Sequence, residues 1–310
     1  MEIAQQRESR PSVAQVDFGD GQLAVIDYGA SAAPDAVPVL LAHSLGNCAD
    51  TWQFVGPAFS DRIHAYALDL AGHGSSTATV RTFDDAWQQF IEVSRGLGLD
   101  RPVLVGHDQS TFQTSLAAME APQEFRAVVS IGGAVHIDYE KARQDIDFAL
   151  LPTFADMLRE RFLLGATGSG RQEADNLIEQ LVGLSTQDWL LAGMREGLHT
   201  EVANSVEYFD DGTWLHKPAP EMVQRSVDVP DRRPITPGPW FYDRLTVPQW
   251  IVQLREGYEV LTPDGAEFVA EHPMLRHAYL DTTAWPQYDK PAELAAVIEA
   301  IALDPAGPDL

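Results

Sequence analysis

The chain has 310 residues, enough to bury a large core, and its 21 Lys and Arg against 46 Asp and Glu give a formal net charge of -25. This charge repels an extended phosphate backbone or an anionic lipid surface, so we expect neither nucleic acid nor a membrane as partner. The single cysteine, Cys48, excludes an intrachain disulfide and a zinc site built from several cysteines. The N-terminal residues are charged where a signal peptide needs an apolar core, which predicts a cytoplasmic protein.

The predicted elements begin with a hairpin over residues 14 to 28, whose two strands flank a Gly-Asp-Gly turn. A strand from residue 37 then ends in the polar loop His43-Ser-Leu-Gly-Asn47. The next strand, residues 64 to 68, ends in the loop Asp69-Leu-Ala-Gly-His-Gly-Ser-Ser76. A helix over residues 84 to 97 follows. This succession of strands, loops and helices is typical of an α/β protein with a parallel sheet.

A sharp turn from strand to helix follows at residues 101 to 119. Val103 to Val105 predict a buried strand that ends at Gly106, and apolar residues at helical spacing begin at Phe112. Such a turn holds its middle residue, Asp108, in a strained conformation with the side chain exposed above the sheet. Taken alone, the pattern also fits an aspartate that caps the following helix.

The stretch Gly106-His-Asp-Gln-Ser110 resembles the nucleophile elbow of α/β-hydrolase-fold proteins, in the Gly-His-Asp form of epoxide hydrolases and haloalkane dehalogenases. The loops at 43 to 47 and 69 to 76 resemble loops of the same superfamily. The resemblance implies an α/β-hydrolase fold, with a mostly parallel eight-stranded sheet flanked by helices and a mainly helical lid inserted after strand 6. Residues 1–134 and 246–310 would form the two parts of the core, and residues 135–245 the lid.

The same resemblance implies roles at the elbow. Asp108 would be the catalytic residue, and the backbone amides of Leu45 and Gln109 would form an anion site. Ser44 stands where the superfamily usually has glycine. For His43 the alternative to substrate contact is a structural role beneath its loop.

The predicted lid is rich in aromatic side chains, which indicates a pocket for a bulky, flat substrate. Its glycine-rich stretch at residues 165 to 170 is no phosphate loop, because no strand leads into it and neither Lys-Ser nor Lys-Thr follows. The residues expected to contact the substrate are His43, Ser44, Trp52, His107, Trp189, Trp214, Tyr258, Ala284 and Trp285.

The end of the chain departs from the superfamily at two positions. The acid normally follows the strand that starts near Val247, where Tyr258 is nearest and Glu256 and Glu259 lie one or two residues away. The segment 281 to 291 resembles the terminal stretch that carries the catalytic His, and its Trp-Pro pair places Ala284 at the His position. An engineered His-to-Ala change and natural divergence both fit this observation.

The missing His changes the expected chemistry, since an ester formed on Asp108 needs an activated water to release it. The sequence therefore predicts a non-hydrolytic, cofactor-free enzyme that tailors an electron-rich, polycyclic aromatic natural product. We expect a cofactor-independent oxygenase with molecular oxygen as second substrate and no metal. The segment from Phe268 to Pro286 resembles part of the cofactor-independent 3-hydroxy-4-oxoquinoline 2,4-dioxygenases, although that branch keeps Ser at the elbow and His in the terminal loop.

Two alternatives stay open. One is an epoxide hydrolase or haloalkane dehalogenase with Asp108 as nucleophile, either inactivated at position 284 or using another acid. The other is a non-catalytic protein that binds an aromatic small molecule. In each case the partner is an aromatic small molecule, and the protein is a monomer or a homodimer.

Overall fold

The computed structural model describes residues 12–29, 31–133, 135–184, 197–257 and 261–307. The strands within these ranges are β1 (Val13–Phe18), β2 (Gly21–Asp27), β3 (Val37–Ala42), β4 (Ile63–Leu68), β5 (Val103–His107), β6 (Ala127–Ile131), β7 (Thr167–Ser169), β8 (Val206–Tyr208), β9 (Thr213–His216), β10 (Gln249–Leu254) and β11 (Leu275–Leu280). The α-helices are α1 (Phe83–Gly96), α2 (Ser110–Glu120), α3 (Tyr139–Ala149), α4 (Pro152–Phe162), α5 (Arg171–Leu184), α6 (Leu198–Asn204), α7 (Pro220–Val227), α8 (Pro239–Tyr242), α9 (Pro263–Glu271), α10 (Pro286–Asp289) and α11 (Pro291–Leu303).

The main sheet has eight strands in the order β1-β2-β4-β3-β5-β6-β10-β11. The hairpin β1–β2 and the pair β2–β4 are antiparallel, and every other neighbouring pair is parallel. The predicted mostly parallel, eight-stranded sheet is thereby confirmed. Because parallel strands end on the same edge, the loops after β3, β4 and β5 meet there.

The central strands are buried on both faces, which explains their continuous apolar sequences. Leu41 and Val105 pack with α11 in one cluster, and Leu40 and Leu104 pack in another with Phe90 of α1. Successive side chains of a strand point to opposite faces, so adjacent residues enter different clusters. Helices therefore cover both faces and fix the strand ends that carry the elbow.

The chain between β6 and β10 contains helices α3 to α8 and a second, three-stranded sheet in the order β7-β9-β8. The sequence predicts a mainly helical segment here and gives no sign of this second sheet. Its strands have only three or four residues each, which is too short for an alternating pattern to be recognised. That residues 135–245 form a separate unit acting as a lid stays a prediction.

Within the described ranges, each helix is too short or too polar to span a bilayer.

Candidate active site

The elbow predicted around Asp108 is present in the backbone. β5 ends at His107, α2 begins at Ser110, and Asp108 between them has φ +53°. A residue with a Cβ adopts this left-handed conformation at a cost of about 1 kcal/mol. Three hydrogen bonds hold it there: the Asp108 N–H donates to Ile131 O at 2.9 Å, and Thr111 donates to Asp108 O from its N–H at 3.0 Å and its hydroxyl at 2.6 Å.

Two small residues allow the turn to be this tight. A Cβ at Gly106 would lie 2.7 Å from Thr114 Oγ1 and 2.9 Å from Ser110 O, so only glycine fits. Ser110 replaces the second glycine of the usual elbow. Its hydroxyl accepts a 2.9 Å hydrogen bond from the His107 N–H, so the larger residue stabilises the turn.

The Asp108 carboxylate is held on one side and open on the other. Ser44 Oγ donates to Asp108 Oδ2 at 2.7 Å, whereas Oδ1 has no hydrogen-bond partner within the described ranges. The side chain is half-buried and lines a cavity of about 850 Å³. Serine at the usual glycine position thus contributes a hydroxyl that orients the carboxylate.

The backbone amides of Leu45 and Gln109 are the donors expected to bind an anion, and both residues line the cavity. Neither amide donates a hydrogen bond to any residue that the structure describes. The next amide, that of Gly46, is occupied because it donates to His73 Nε2 at 3.1 Å. Two unpaired N–H groups therefore flank Asp108, as an oxyanion site requires.

Two buried histidines support the loop that carries Leu45. His43 Nδ1 donates to Ser44 O at 2.8 Å, and its Nε2 accepts from the Leu70 N–H at 3.0 Å. Burial lowers the pKa of His43 well below its usual value and that of His73 to about 4, so both rings are neutral. Because both nitrogens of His43 are occupied, this residue has the structural role rather than a contact with substrate.

Glu201, which the sequence analysis did not single out, also lines the cavity. It lies on α6, is 2% exposed, and accepts hydrogen bonds from the Asn47 side-chain amide and the Tyr288 hydroxyl. Burial raises the pKa of Glu201 to about 7, although these two hydrogen bonds favour the ionised form. The group can therefore donate or accept a proton near neutral pH.

The loop from Ser44 to Asn47 connects two of the carboxyl groups that line the cavity, Asp108 and Glu201. Its first residue donates to Asp108, and its last donates to Glu201. The amide of Leu45 lies between them in the chain. A carboxylate, a protonatable acid and two free amides are thereby gathered around one loop.

The cavity also contains two histidines, which the sequence analysis did not expect. His216, at the end of β9, is 4% exposed, and its Nδ1 donates to Leu163 O at 2.9 Å. Burial lowers the pKa of His216, so the ring is neutral at pH 7. His136 lines the cavity as well and is half-buried. Within the described ranges, no group of three or more His, Cys, Asp or Glu side chains could hold a metal ion.

Some of the residues predicted to contact substrate line the cavity, and for others the prediction is wrong. Ser44 and Trp285 line it, together with Leu45, Asp108 and Gln109. Trp189 and Tyr258 lie outside the described residues. The residues that do not line the cavity are His43, Trp52, His107, Trp214 and Ala284.

His43 has the structural role described above. The other four residues do not line the cavity because they are buried elsewhere in the protein. Trp52 is fully buried in the core beneath the sheet, and Trp214 packs in a cluster with Ala284 and α5. His107 Nε2 donates to Ala284 O at 2.9 Å, so the imidazole is directed toward the segment after β11.

Glu256, which the sequence offered as one candidate for the catalytic acid, is exposed and pairs with Arg255.

The comparisons with known proteins agree with this architecture. The family model described as alpha/beta hydrolase fold matches residues 37–185. The chain has the alpha/beta hydrolase fold. Among curated proteins, the (E)-2-((N-methylformamido)methylene)succinate hydrolase of Acinetobacter baylyi is 25% identical over 202 residues, which are 63% of this chain and 73% of that protein.

Solved structures with this alpha/beta hydrolase fold superpose over nearly the whole chain. An E-2-(acetamidomethylene)succinate hydrolase has a TM-score of 0.68 at 18% identity and covers 93% of this chain and 97% of its own. The epoxide hydrolase of Bacillus megaterium has a TM-score of 0.62 at 16% identity, with 92% and 98% covered. These identities show the fold alone. All three relatives are hydrolases by name, and none supports the resemblance to oxygenases.

Proposed function

We propose that this protein is a hydrolytic enzyme whose Asp108 carboxylate opens an epoxide ring in a bulky, largely apolar substrate. The observation that carries the proposal is the arrangement of Asp108 itself. It stands on the strained elbow in the cavity wall, with Oδ2 held by Ser44 at 2.7 Å and Oδ1 without a partner in the described chain. A carboxylate held in this way is a nucleophile with one oxygen free for attack.

Glu201 favours an epoxide over an alkyl halide as the electrophile. The oxygen of an epoxide stays on the product and needs a proton as the ring opens, whereas a halide leaves as a stable anion. With a pKa of about 7, a large fraction of Glu201 is protonated at neutral pH. Transfer of its proton to the epoxide oxygen accompanies the attack of Asp108 Oδ1 on carbon, which yields a hydroxyalkyl ester and the Glu201 carboxylate.

The second step is attack of water on Cγ of that ester. The negative charge then develops on Oδ2, which already accepts a hydrogen bond from Ser44. The free amides of Leu45 and Gln109, which follow Ser44 and Asp108 in the chain, are the further donors proposed for this charge. Removal of one such donor typically costs 10²- to 10³-fold in rate, or about 3 to 4 kcal/mol. These groups therefore support hydrolysis of an ester on Asp108.

The shape of the cavity supports a large substrate. Its volume of about 850 Å³ is near the upper end of typical small-molecule sites. Apolar side chains from α4 and from the loop after β11, such as Phe154, Leu158 and Trp285, contribute to its lining. A polycyclic or otherwise extended apolar epoxide fits these properties.

The test is incubation of the protein with aryl epoxides, such as styrene oxide and stilbene oxide, in H₂¹⁸O. Water attack on the ester places ¹⁸O in the Asp108 carboxylate, so the peptide that contains it gains mass over many turnovers. The variant Asp108→Asn is expected to form no diol. If diol forms without label in that peptide, direct attack of water replaces the ester mechanism. Tight binding of the probe without turnover, unchanged by Asp108→Asn, would favour the binding protein instead.

A second candidate is the cofactor-independent oxygenase, and one observation favours it. Ala284 occupies the His position of the superfamily and is buried in an apolar cluster, so that position supplies no base for ester hydrolysis. In this reading Asp108 accepts a proton from an acidic, electron-rich aromatic substrate, and the amides hold the resulting anion. Transfer of ¹⁸O from labelled dioxygen into the product of a polyphenol would support it, and lack of label across a panel of such substrates would exclude it.

A further inference from the structure

We propose that His216 is the base that activates water for release of the ester on Asp108, in place of the histidine absent at position 284. The inference rests on the proposed function, because it assigns a residue to the second step of that reaction. It starts from the cavity, where His216 is an almost completely buried imidazole contributed by the segment between β6 and β10.

The first observation is the orientation of the ring. The Nδ1–H donates to Leu163 O at 2.9 Å, and a carbonyl can only accept, so Nε2 carries the lone pair. Leu163 itself has φ +53°, a conformation that follows the end of α4 and directs its carbonyl to the ring. Nε2 has no hydrogen-bond partner in the described part of the chain. The arrangement is that of a base with an orienting acceptor behind it.

The second observation is that the backbone of His216 is fixed by the turn between α4 and β7, and that the next residue contacts a loop of the core. Its N–H donates to Ala166 O and its carbonyl accepts from the Gly165 N–H, both at 2.8 Å. The next residue, Lys217, donates from Nζ to Ser76 O at 2.8 Å and to Gly74 O at 3.2 Å. These contacts attach the end of β9 to the loop after β4.

The loop from Ser44 to Asn47 contacts the segment that orients the His216 ring. A Cβ built at Gly46 would lie 3.4 Å from Leu164 Cδ1, and Leu45 packs in one cluster with Leu164. Leu164 directly follows the residue that orients His216. The imidazole and the free amide of Leu45 therefore belong to one wall of the cavity that contains Asp108.

The chemistry balances without any further reagent. Water gives a proton to His216 Nε2 while its oxygen bonds to Cγ of the ester, and the tetrahedral anion on Oδ2 is held by Ser44 and the two amides. Collapse breaks the bond from Cγ to the alkoxide oxygen, which takes the proton back from the imidazolium. Asp108 is left as the acid, and its proton returns to the Glu201 carboxylate formed in the first step. The net reaction is epoxide plus water to diol.

The charge state of the ring suits this role. Burial lowers the pKa of His216, so the neutral, proton-accepting form dominates at pH 7. By contrast, Glu201 accepts hydrogen bonds on both oxygens from Asn47 and Tyr288. The imidazole Nε2, which has no hydrogen-bond partner in the described part of the chain, is therefore the group proposed to accept a proton from water.

The test is the variant His216→Asn, whose side-chain amide can keep the hydrogen bond to Leu163 O while it removes the basic lone pair. With styrene oxide, the wild-type protein is expected to release diol without accumulated ester. The variant is expected to form one equivalent of ester on Asp108, seen by intact-protein mass spectrometry, and to lose about 100-fold or more in kcat. The control His199→Asn changes an exposed histidine of α6, paired with Glu179, and is expected to behave as wild type.

The other outcomes contradict the inference in distinct ways. Turnover of His216→Asn within a few fold of wild type, with no ester, excludes His216 as the base while the proposed function stands. Loss of ester formation with an unchanged melting temperature assigns His216 to an earlier step. Accumulation of ester in Glu201→Gln but not in His216→Asn makes Glu201 the base. If wild type forms neither ester nor diol with any aryl epoxide, the proposed function fails and the inference with it.

Discussion

Glu201 makes the stability of the protein depend on pH, and the variant Glu201→Gln isolates its contribution. The carboxyl has an ordinary pKa of 4.5 in the unfolded chain and a pKa of about 7 in the folded protein, with burial as the main cause. Between these values the folded state binds more protons than the unfolded state, so stability falls as the pH rises through this window. The contribution of Glu201 is constant below and above this window.

The difference between the two pKa values gives the size of this change in the free energy of unfolding. At about 1.4 kcal/mol for each tenfold change in proton affinity, the ionised carboxylate costs the folded state about 3 kcal/mol above pH 7 relative to the neutral acid. Glutamine keeps the shape of the side chain and cannot ionise. The free energy of unfolding of Glu201→Gln minus that of wild type should therefore become more positive by about 3 kcal/mol between about pH 4.5 and about pH 8.

The assay is urea denaturation followed by tryptophan fluorescence at several pH values, for wild type, Glu201→Gln and the control Glu179→Gln. Glu179 lies on α5 with an exposed side chain, so its replacement should leave the pH profile of wild type unchanged. A difference between Glu201→Gln and wild type that stays constant over this range would refute the reasoning. It would mean that the hydrogen bonds from Asn47 and Tyr288 compensate fully for burial.

Three other substitutions test the elbow and the segment after β11. Ser44→Ala removes the donor to Asp108 Oδ2, and stopped-flow kinetics with styrene oxide should show ester release slowed by about 100-fold. Gly106→Ala places a Cβ 2.7 Å from Thr114 Oγ1, and urea denaturation should show a loss of about 2 kcal/mol. Ala284→His puts a larger, polar ring at a site that is 3% exposed, and the same method should show a loss of about 2 kcal/mol.

Each of these substitutions has a matched control. Ser44→Thr keeps the hydroxyl and should retain most of the rate, so an equal loss in both variants would point to packing rather than the hydrogen bond. Gly183→Ala lies in α5 with no atom within 4 Å of the added Cβ, and it should be neutral or stabilising. Ala270→His changes an exposed position of α9 and should cost little. A stable Ala284→His variant would show that the cluster around Trp285 has room for a ring.

The fold and the elbow could be predicted because their signals are local. Val103 to Val105, Gly106 and the helical spacing after Asp108 lie within one short stretch, and the backbone adopts the conformation that this stretch requires. The loop after β3 was located in the same way. The hydrogen-bond donors of this loop are backbone N–H groups, so their presence does not depend on which side chains the loop carries.

The aromatic residues show where this reasoning fails. Trp52 was expected in the pocket and is fully buried in the core, whereas Trp285 does line the cavity. Size and hydrophobicity favour burial in either place, so composition cannot distinguish a core residue from a pocket residue. Only the packing of the sheet against α11 decides it.

The sequence by itself determined the parallel sheet, the strained position of Asp108 and the absence of histidine at position 284. The tertiary structure alone decided which acid and base groups share the cavity. Ser44 meets Asp108 across 64 residues, and Asn47 meets Glu201 across 154. Such pairs carry no periodic or motif signal, because their members are far apart in the sequence and meet only in the folded chain. Ser44 and Asp108 follow the neighbouring strands β3 and β5, whereas Glu201 reaches Asn47 from α6 and is buried there.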